Sequence, residues 1–245
     1  MARAMARGWG DPVLCSDSGS GRAQALVDEL GGRAASNAEV AAEADLIILC
    51  HKPYQLGEVA HEIAGQAKVV GSVLGGISTG QLRSAYPDAQ VFRLVPNTPV
   101  EVRRGVTVYA PYSGHDAYRI DHDLEREVLA LFERLGTVLT LDEGLLGVAL
   151  GVSSVGPAYQ ALLLEAQVDA AVRHGLKPRV AARLVAETMS GTAELLRVRD
   201  YDTLCVRREV TSPAGSTARG LDALERGGVR AAFSAAMDGV REVVG

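Results

Sequence analysis

The run Asp45-Leu46-Ile47-Ile48-Leu49-Cys50 constrains this chain most. Apolar side chains in unbroken succession leave neither face of a strand polar, so the strand must be covered on both sides, as in a parallel sheet between helical layers. The neighbouring sequence repeats that logic. Pro12–Cys15 reads as a short strand, Ser16–Gly21 as a loop, and Arg22 to Leu30 as a helix closed by Gly31-Gly32. Asn37 can cap a short helix to Ala44. After Cys50, His51-Lys52-Pro53-Tyr54 turns into a helix through Ala64, followed by a strand Lys68–Val73, a helix Thr79–Tyr86 and a strand Val91–Leu94. Gly105–Ala110 and Thr137–Leu141 read as later strands flanking a helix Asp121–Leu135. Strands alternating with short helices predict an α/β fold with a Rossmann-like, mostly parallel sheet, whose ligands sit at the carboxyl ends of the strands. Those ends are Ser16-Asp17, Cys50 to Pro53, Leu74-Gly75-Gly76 and Val95 to Pro99.

No G-x-G-x-x-G stands between a strand and a helix, so the dinucleotide fingerprint is missing from the sequence. Asp17 nevertheless follows a strand in the manner of the ribose-binding acid, which lies about 20 residues beyond the first glycine of that fingerprint. Counting back passes Met1. The sequence therefore predicts that Ala2–Arg7 is the helix after a glycine loop and first strand lying upstream. Without them the edges of Val13–Cys15 and Asp45–Cys50 are expected to be open and dinucleotide binding weak.

From Gly144 onward helices replace strands, which predicts two domains, 1–143 and 144–245. Pro157, the apolar body Ala158–Val172, the stop Gly175 and Pro178 follow helix start and stop preferences. That helix and Val180–Leu196 are apolar around most of their circumference, with Ala181, Ala182, Ala186, Gly191 and Ala193 allowing close approach. Such helices need cover on several sides, so an all-α dimerisation domain is expected. Beyond it lies Val210-Thr211-Ser212-Pro213-Ala214-Gly215-Ser216-Thr217, a hydroxyl-rich turn leading into a helix. Free N–H groups at such a helix start suit an anionic ligand; the plainer reading is that Ser216 or Thr217 is an ordinary N-cap.

Composition narrows the classes. The chain has 245 residues, 47% of them hydrophobic, a formal charge of −5 and no basic run with interleaved aromatics, which argues against nucleic acid. No apolar stretch resembling a membrane span or leader is evident, so a cytoplasmic protein without membrane contact is expected. Cys15, Cys50 and Cys205 have neither disulfide nor metal spacing, and no metal is expected. Of the histidines, His61, His115, His122 and His174 read as surface residues, while His51 stands at a strand end. Glu165 and Asp169 share a helix face, a spacing that fits a surface or interface role better than an acid and base pair.

Leu94-Val95-Pro96-Asn97-Thr98-Pro99, Val155-Gly156-Pro157-Ala158-Tyr159, Gly175-Leu176-Lys177-Pro178 and Val210–Thr217 together resemble the pyrroline-5-carboxylate reductase family in order and spacing. The resemblance spans nearly the whole chain. It implies an NAD(P)H-dependent reductase of a cyclic imine carboxylate, built as an interlocked homodimer and in many members as a larger ring of dimers. By resemblance, Asn37, Lys52 and Pro53 are cofactor contacts, and Pro96, Asn97 and Thr98 form the loop near the nicotinamide; Asp17 by its spacing and Ser18 by its hydroxyl join the candidate cofactor contacts. Ser212, Gly215, Ser216 and Thr217 form the substrate turn, with Thr217 as the catalytic hydrogen-bonding group. Asp17 favours NAD, whereas Ser18, Ser20 and Arg22 can accept the extra phosphate of NADP, to which the resemblance leans. The chain departs from the family at Val155, where serine is usual, and at Ala214, where glycine is usual and alanine is expected to stiffen the turn. His51 also replaces a small apolar residue.

Two rivals remain open at this level. A β-hydroxyacid dehydrogenase shares the plan but places a lysine on the helix after the sheet, and Ala158–Val172 contains none. A non-catalytic, cofactor-deficient homodimer keeps the assembly helices and substrate turn.

Overall fold

The computed structural model describes residues 1–112 and 120–244, with side chains to Glu242. His115 lies outside the described residues. The chain divides into two compact units, Met1–Pro157 and Ala158–Val243. The first thus includes residues 144–157, beyond the position where the sequence changes from strands to helices.

The first unit runs α1 (Ala2–Trp9), β1 (Val13–Cys15), α2 (Arg22–Leu30), β2 (Gly32–Ala34), α3 (Asn37–Glu43), β3 (Ile47–Leu49), α4 (Leu56–Ile63), β4 (Val69–Ser72), α5 (Thr79–Ala85), β5 (Gln90–Pro96), β6 (Gly105–Ala110), α6 (His122–Glu133), β7 (Gly136–Thr140) and α7 (Leu146–Ala149). The strands form two sheets, β1-β2 and β3-β4-β5-β6-β7, parallel except for the β5-β6 pair. Parity shows which edges stay open. Val13 N–H donates to the Gly31 carbonyl and Ala35 N–H to that of Cys15, so both strand ends face β2 and the Leu14 amide group faces away. Val73 N–H donates to the Leu49 carbonyl, which by the same alternation turns the Ile48 amide group away from β4. Each of these strands is paired on one side only among the described residues, as the open-edge expectation required.

Strand β2 was not legible in the sequence. Gly-Arg-Ala has little strand propensity, and what makes it a strand is close approach: a Cβ on Gly32 would lie 2.0 Å from the Val13 carbonyl oxygen, at a φ of +101°. Helix α3 is capped by Ser36, not Asn37. Ser36 Oγ accepts from Glu39 N–H while the Glu39 carboxylate accepts from Ser36 N–H, a reciprocal capping box.

Two apolar layers enclose the larger sheet. On one side Ile47, Leu49, Val70, Leu82, Tyr86 and Val91 pack with α3, α4 and α5. On the other, Phe92, Leu94, Tyr109, Val128 and Phe132 pack with Met5 of α1, which is 1% exposed. Trp9 closes this layer edge-on to Phe132 at 5.6 Å and donates its indole N–H to the Leu131 carbonyl.

The second unit is helical: α8 (Gly156–Arg173, beginning at the end of the first unit), α9 (Pro178–Val198), α10 (Thr203–Glu209), α11 (Ser216–Arg226) and α12 (Val229–Val244). Tyr159 meets Phe233 edge-on at 6.4 Å, and Arg199 pairs with Glu209 at 2.8 Å. Its described residues include only two buried apolar side chains, Ala181 and Val206. The helical stretch Glu143–Arg173 carries an 18-residue window of mean hydropathy 1.3, long and apolar enough by composition to cross a bilayer, which corrects the expectation that no such run exists.

Candidate active site

The parallel strands β3, β4 and β5 bring Cys50-His51, Gly75-Gly76 and Pro96-Asn97 to one edge of the sheet. Burial pushes the Cys50 thiol up to about 12, against the opposing influence of the nearby chain amino group. Cys50 is therefore a neutral packing group, and it packs against the same apolar cluster as Ala4 in the first turn of α1. The N–H groups of Ala2, Arg3 and Ala4 begin that helix, and its first internal bond is Met5 N–H to the Met1 carbonyl. His51 Nδ1 lies 2.8 Å from the Lys52 carbonyl oxygen. A carbonyl only accepts, so Nδ1 carries a proton, and Nε2 is buried with no partner among the described residues. Lys52 and Pro53 are exposed on the turn that follows.

Asp17 serves its own loop. Its carboxylate accepts from the N–H groups of Ala23 (2.7 Å), Gly19 (2.7 Å) and Ser20 (3.0 Å) and from the Ser20 hydroxyl, and so caps α2 from outside it. Those bonds, the Ala23 N–H foremost, hold it below the usual carboxylate range. Asp17 shares a shallow cleft with Gly19, Gly21, Gln24, Ala34 and Ala35. Ser18 is exposed beside it, and Arg22 Nε donates to Ser20 Oγ at 2.8 Å. Asn37 joins three elements: its Oδ1 accepts from Ser16 Oγ at the end of β1, and its Nδ2 donates to Glu62 on α4 at 2.6 Å.

Asn97 is 8% exposed and both ends of its amide are engaged. Oδ1 accepts from Val106 N–H (2.8 Å) and Nδ2 donates to the Ser153 carbonyl (3.1 Å). Ser153 belongs to a π-helical turn, Leu150–Ser154, closed by a Val155 N–H to Leu150 carbonyl bond. Pro96 is buried at the end of β5, and Thr98 is exposed in the 3-10 turn after it. A cluster the sequence did not reveal lies nearby: Glu143 accepts from Thr79 N–H (2.6 Å), the Thr79 hydroxyl (2.9 Å) and the Arg93 guanidinium. Its partners are distant in sequence, and the only hint was a charged residue inside the apolar strand β5.

In the second unit, Gly215 N–H donates to the Ser212 carbonyl (3.1 Å), closing a turn with Pro213 second and Ala214 third. Ala214 has φ +57°, the left-handed value that a type II turn requires at its third position. The effect expected of alanine here was stiffening; the structure shows strain instead, because the Cβ opposes this conformation. A Cβ on Gly215 would crowd the Ser212 side chain and lie 3.1 Å from the Ser212 carbonyl oxygen, so a larger residue there would require Ser212 to turn away. Gly215 is also the N-cap of α11, so neither Ser216 nor Thr217 caps it and the cap residue makes no side-chain bond to the helix start. The first internal bond is Arg219 N–H to the Gly215 carbonyl. The N–H groups of Ser216, Thr217 and Ala218 point out of the first turn with the positive end of the helix dipole, next to the Ser216 and Thr217 hydroxyls.

A family model described as pyrroline-5-carboxylate reductase dimerisation matches residues 143–243, and one described as NADP oxidoreductase coenzyme F420-dependent matches residues 1–76. Pyrroline-5-carboxylate reductase of a Synechocystis strain is 35% identical over 199 residues, which cover 80% of this chain and 73% of the relative. The chain belongs to the pyrroline-5-carboxylate reductase family. A Coxiella burnetii pyrroline-5-carboxylate reductase structure has a TM-score of 0.86 at 25% identity, covering 99% of this chain and 93% of that one. A Plasmodium falciparum pyrroline carboxylate reductase with NADP bound has a TM-score of 0.83 at 24% identity, covering 98% and 92%, and shares the fold. Membership in this reductase family places the apolar helices from residue 143 onward in a dimerisation domain, which accounts for their lack of cover.

Proposed function

We propose that this protein reduces 1-pyrroline-5-carboxylate, or a closely related cyclic imine carboxylate, to the corresponding cyclic amino acid with NAD(P)H. The observation that carries the reading is the first turn of α11. Its three outward N–H groups form a cradle for a carboxylate, at the end of a closed turn in which the N-cap Gly215 carries no side chain. Thr217 Oγ1 stands in the same turn, where it hydrogen-bonds the ring nitrogen and fixes the orientation of the C=N bond. The bound cofactor supplies a hydride to the imine carbon, and one proton on nitrogen completes the amine. No strong acid is required of the protein; its task is positioning and charge placement.

The first unit fits a dinucleotide at its carboxyl edge. The start of α1, whose Ala4 packs on the same cluster as Cys50, offers N–H donors for a pyrophosphate, and His51 Nε2 is a buried ring nitrogen, unpaired among the described residues, that a ribose hydroxyl can partner. Asp17, Ser18, Asn37, Lys52, Pro53, Pro96 and Thr98 surround or support that edge. Because the Asp17 carboxylate is taken up by its own loop, it does not oppose a 2′-phosphate as a free acid would, and NADPH is the favoured cofactor. On the family's pattern the protein is cytoplasmic and its dimers associate into a larger ring.

Thr217→Val tests the site. Loss of one hydrogen bond to the reacting nitrogen lowers kcat/KM by about 1–2 kcal/mol, roughly 5- to 30-fold, with NADPH affinity unchanged. Equal kcat/KM in the variant would remove Thr217 from the chemistry.

A further inference from the structure

Residues 143–154 are tied to β5 and its continuation at two points. At one end, Glu143 binds Arg93, which lies within β5 and is 9% exposed, and Thr79 at the start of α5. At the other end, the Ser153 carbonyl accepts from Asn97, immediately beyond β5. Between the ties Leu146 is 2% exposed and packs with Val108 and Ala110 of β6. The segment is thus pinned at both ends and in the middle, along the strand whose last residues reach the carboxyl edge.

We infer that residues 143–154 form a strap that sets the position of Pro96 and Thr98, and that Asn97 and Glu143 are positioning residues at its two ends. Asn97 is committed to protein partners at both ends of its amide. Its Oδ1 meets Val106 N–H, and one of its two N–H groups meets Ser153 at 8% exposure. Its contribution to the site is the geometry of its neighbours. The π-helical turn fits this role, because the extra residue it accommodates turns the Ser153 carbonyl toward the Asn97 amide while Ser153 Oγ bonds the Ala149 carbonyl at 2.9 Å. Glu143 lies 46 positions along the chain from Asn97, and its hydrogen bonds go to Thr79 and Arg93 rather than to Pro96, Asn97 or Thr98, so an effect of Glu143 on that turn that is shared with Asn97 points to the strap.

This inference rests on the reductase reading, and the test separates the two. Asn97→Asp keeps the acceptor for Val106 N–H and replaces the donor to Ser153 with a repelling oxygen. Glu143→Gln keeps an acceptor for Thr79 and removes the charge facing Arg93. Each variant and the double variant are assayed for kcat, for KM of the imine, for NADPH Kd by nicotinamide fluorescence, and for hydrogen exchange over residues 146–155. The strap predicts a roughly 10-fold fall in kcat for each single variant, with NADPH Kd and imine KM within about 3-fold of the parent. It also predicts faster exchange over 146–155 in both, and a double variant no worse than the weaker single one, as expected for two ties on one element. A large rise in NADPH Kd for Asn97→Asp with Glu143→Gln unaffected would overturn it and make Asn97 a direct cofactor ligand; multiplying effects would overturn it too. If Asn97→Asp does not fold, Glu143→Gln alone decides, since parent-like kcat and exchange in that variant exclude the strap. An inactive parent chain refutes the reductase reading, while hydrogen exchange still tests the strap.

Discussion

The residues that matter most for the substrate turn are those whose backbone is forced. Ala214 sits at φ +57° in an exposed turn, where an L side chain costs about 1–2 kcal/mol. Ala214→Gly relieves that strain and gives back about 0.4–1 kcal/mol through the freer unfolded chain, so a net gain of about 0.5–1 kcal/mol in unfolding free energy is expected. Chemical denaturation checks it, and a loss of stability would show that the alanine methyl makes a compensating contact. The sequence marked this position as unusual but could not give its φ, which depends on the closing bond from Gly215 to Ser212. In the same way it placed Asn97 and Asn37 at the site by resemblance but could not show that both amides are already occupied. Amide occupancy is a property of residues far apart in sequence, Val106 and Ser153 for one, Ser16 and Glu62 for the other.

At the scale of elements, apolar periodicity was a sound guide wherever an element is defined by burial. The runs around Ile47, Val70, Phe92 and Val108 are strands because both of their faces are covered, and that shows directly in composition. It was a poor guide where an element is defined by a neighbour, as with β2, which exists through its approach to β1. The tie between Glu143 and β5 belongs to this second kind. Burial raises the Glu143 carboxyl, but bonds from Thr79 N–H, Arg93 and the Thr79 hydroxyl outweigh it and hold it below the usual range. A carboxyl whose folded pKa is depressed contributes stability that is fully present above its unfolded value, near 4.3, and is lost as pH falls through the lower folded value. Glu143→Gln is therefore expected to lower unfolding free energy at pH 7 by about 1.5–3 kcal/mol, the range for a hydrogen bond to a charged group. The deficit should shrink below about pH 4 as the parent carboxyl protonates. Urea titrations at both pH values measure this, and a deficit independent of pH would assign the effect to packing instead.

Across the whole molecule, the two halves are stabilised differently. The first unit buries its own core on both faces of the sheet, whereas the second leaves Leu162, Leu184, Val198 and Leu224 between 54% and 74% exposed within one chain. Large apolar side chains left open on several helices need a partner, and the dimerisation family match over residues 143–243 identifies it as a second copy. Leu184 lies on a face of α9 with Val180, Arg183 and Glu187. A charge introduced there by Leu184→Glu should shift the protein from dimer to monomer in light scattering at micromolar concentration and lower its Tm, because the apolar face then loses its cover. An unchanged dimer would move the interface off this face of α9. That the chain would need such cover was legible in the all-round apolar pattern of α8 and α9. The open edges of β1 and β3 were anticipated from the missing fingerprint, but that the first turn of α1 packs on the same cluster as Cys50 could be seen only once the fold had brought the two together.

The most direct test is to mix the purified dimer with NADPH and 1-pyrroline-5-carboxylate, following nicotinamide absorbance and proline formation together. The account predicts substrate-dependent oxidation of NADPH with one proline formed per cofactor consumed. A folded dimer that oxidises neither NADPH nor NADH in the presence of this imine and forms no proline would contradict it.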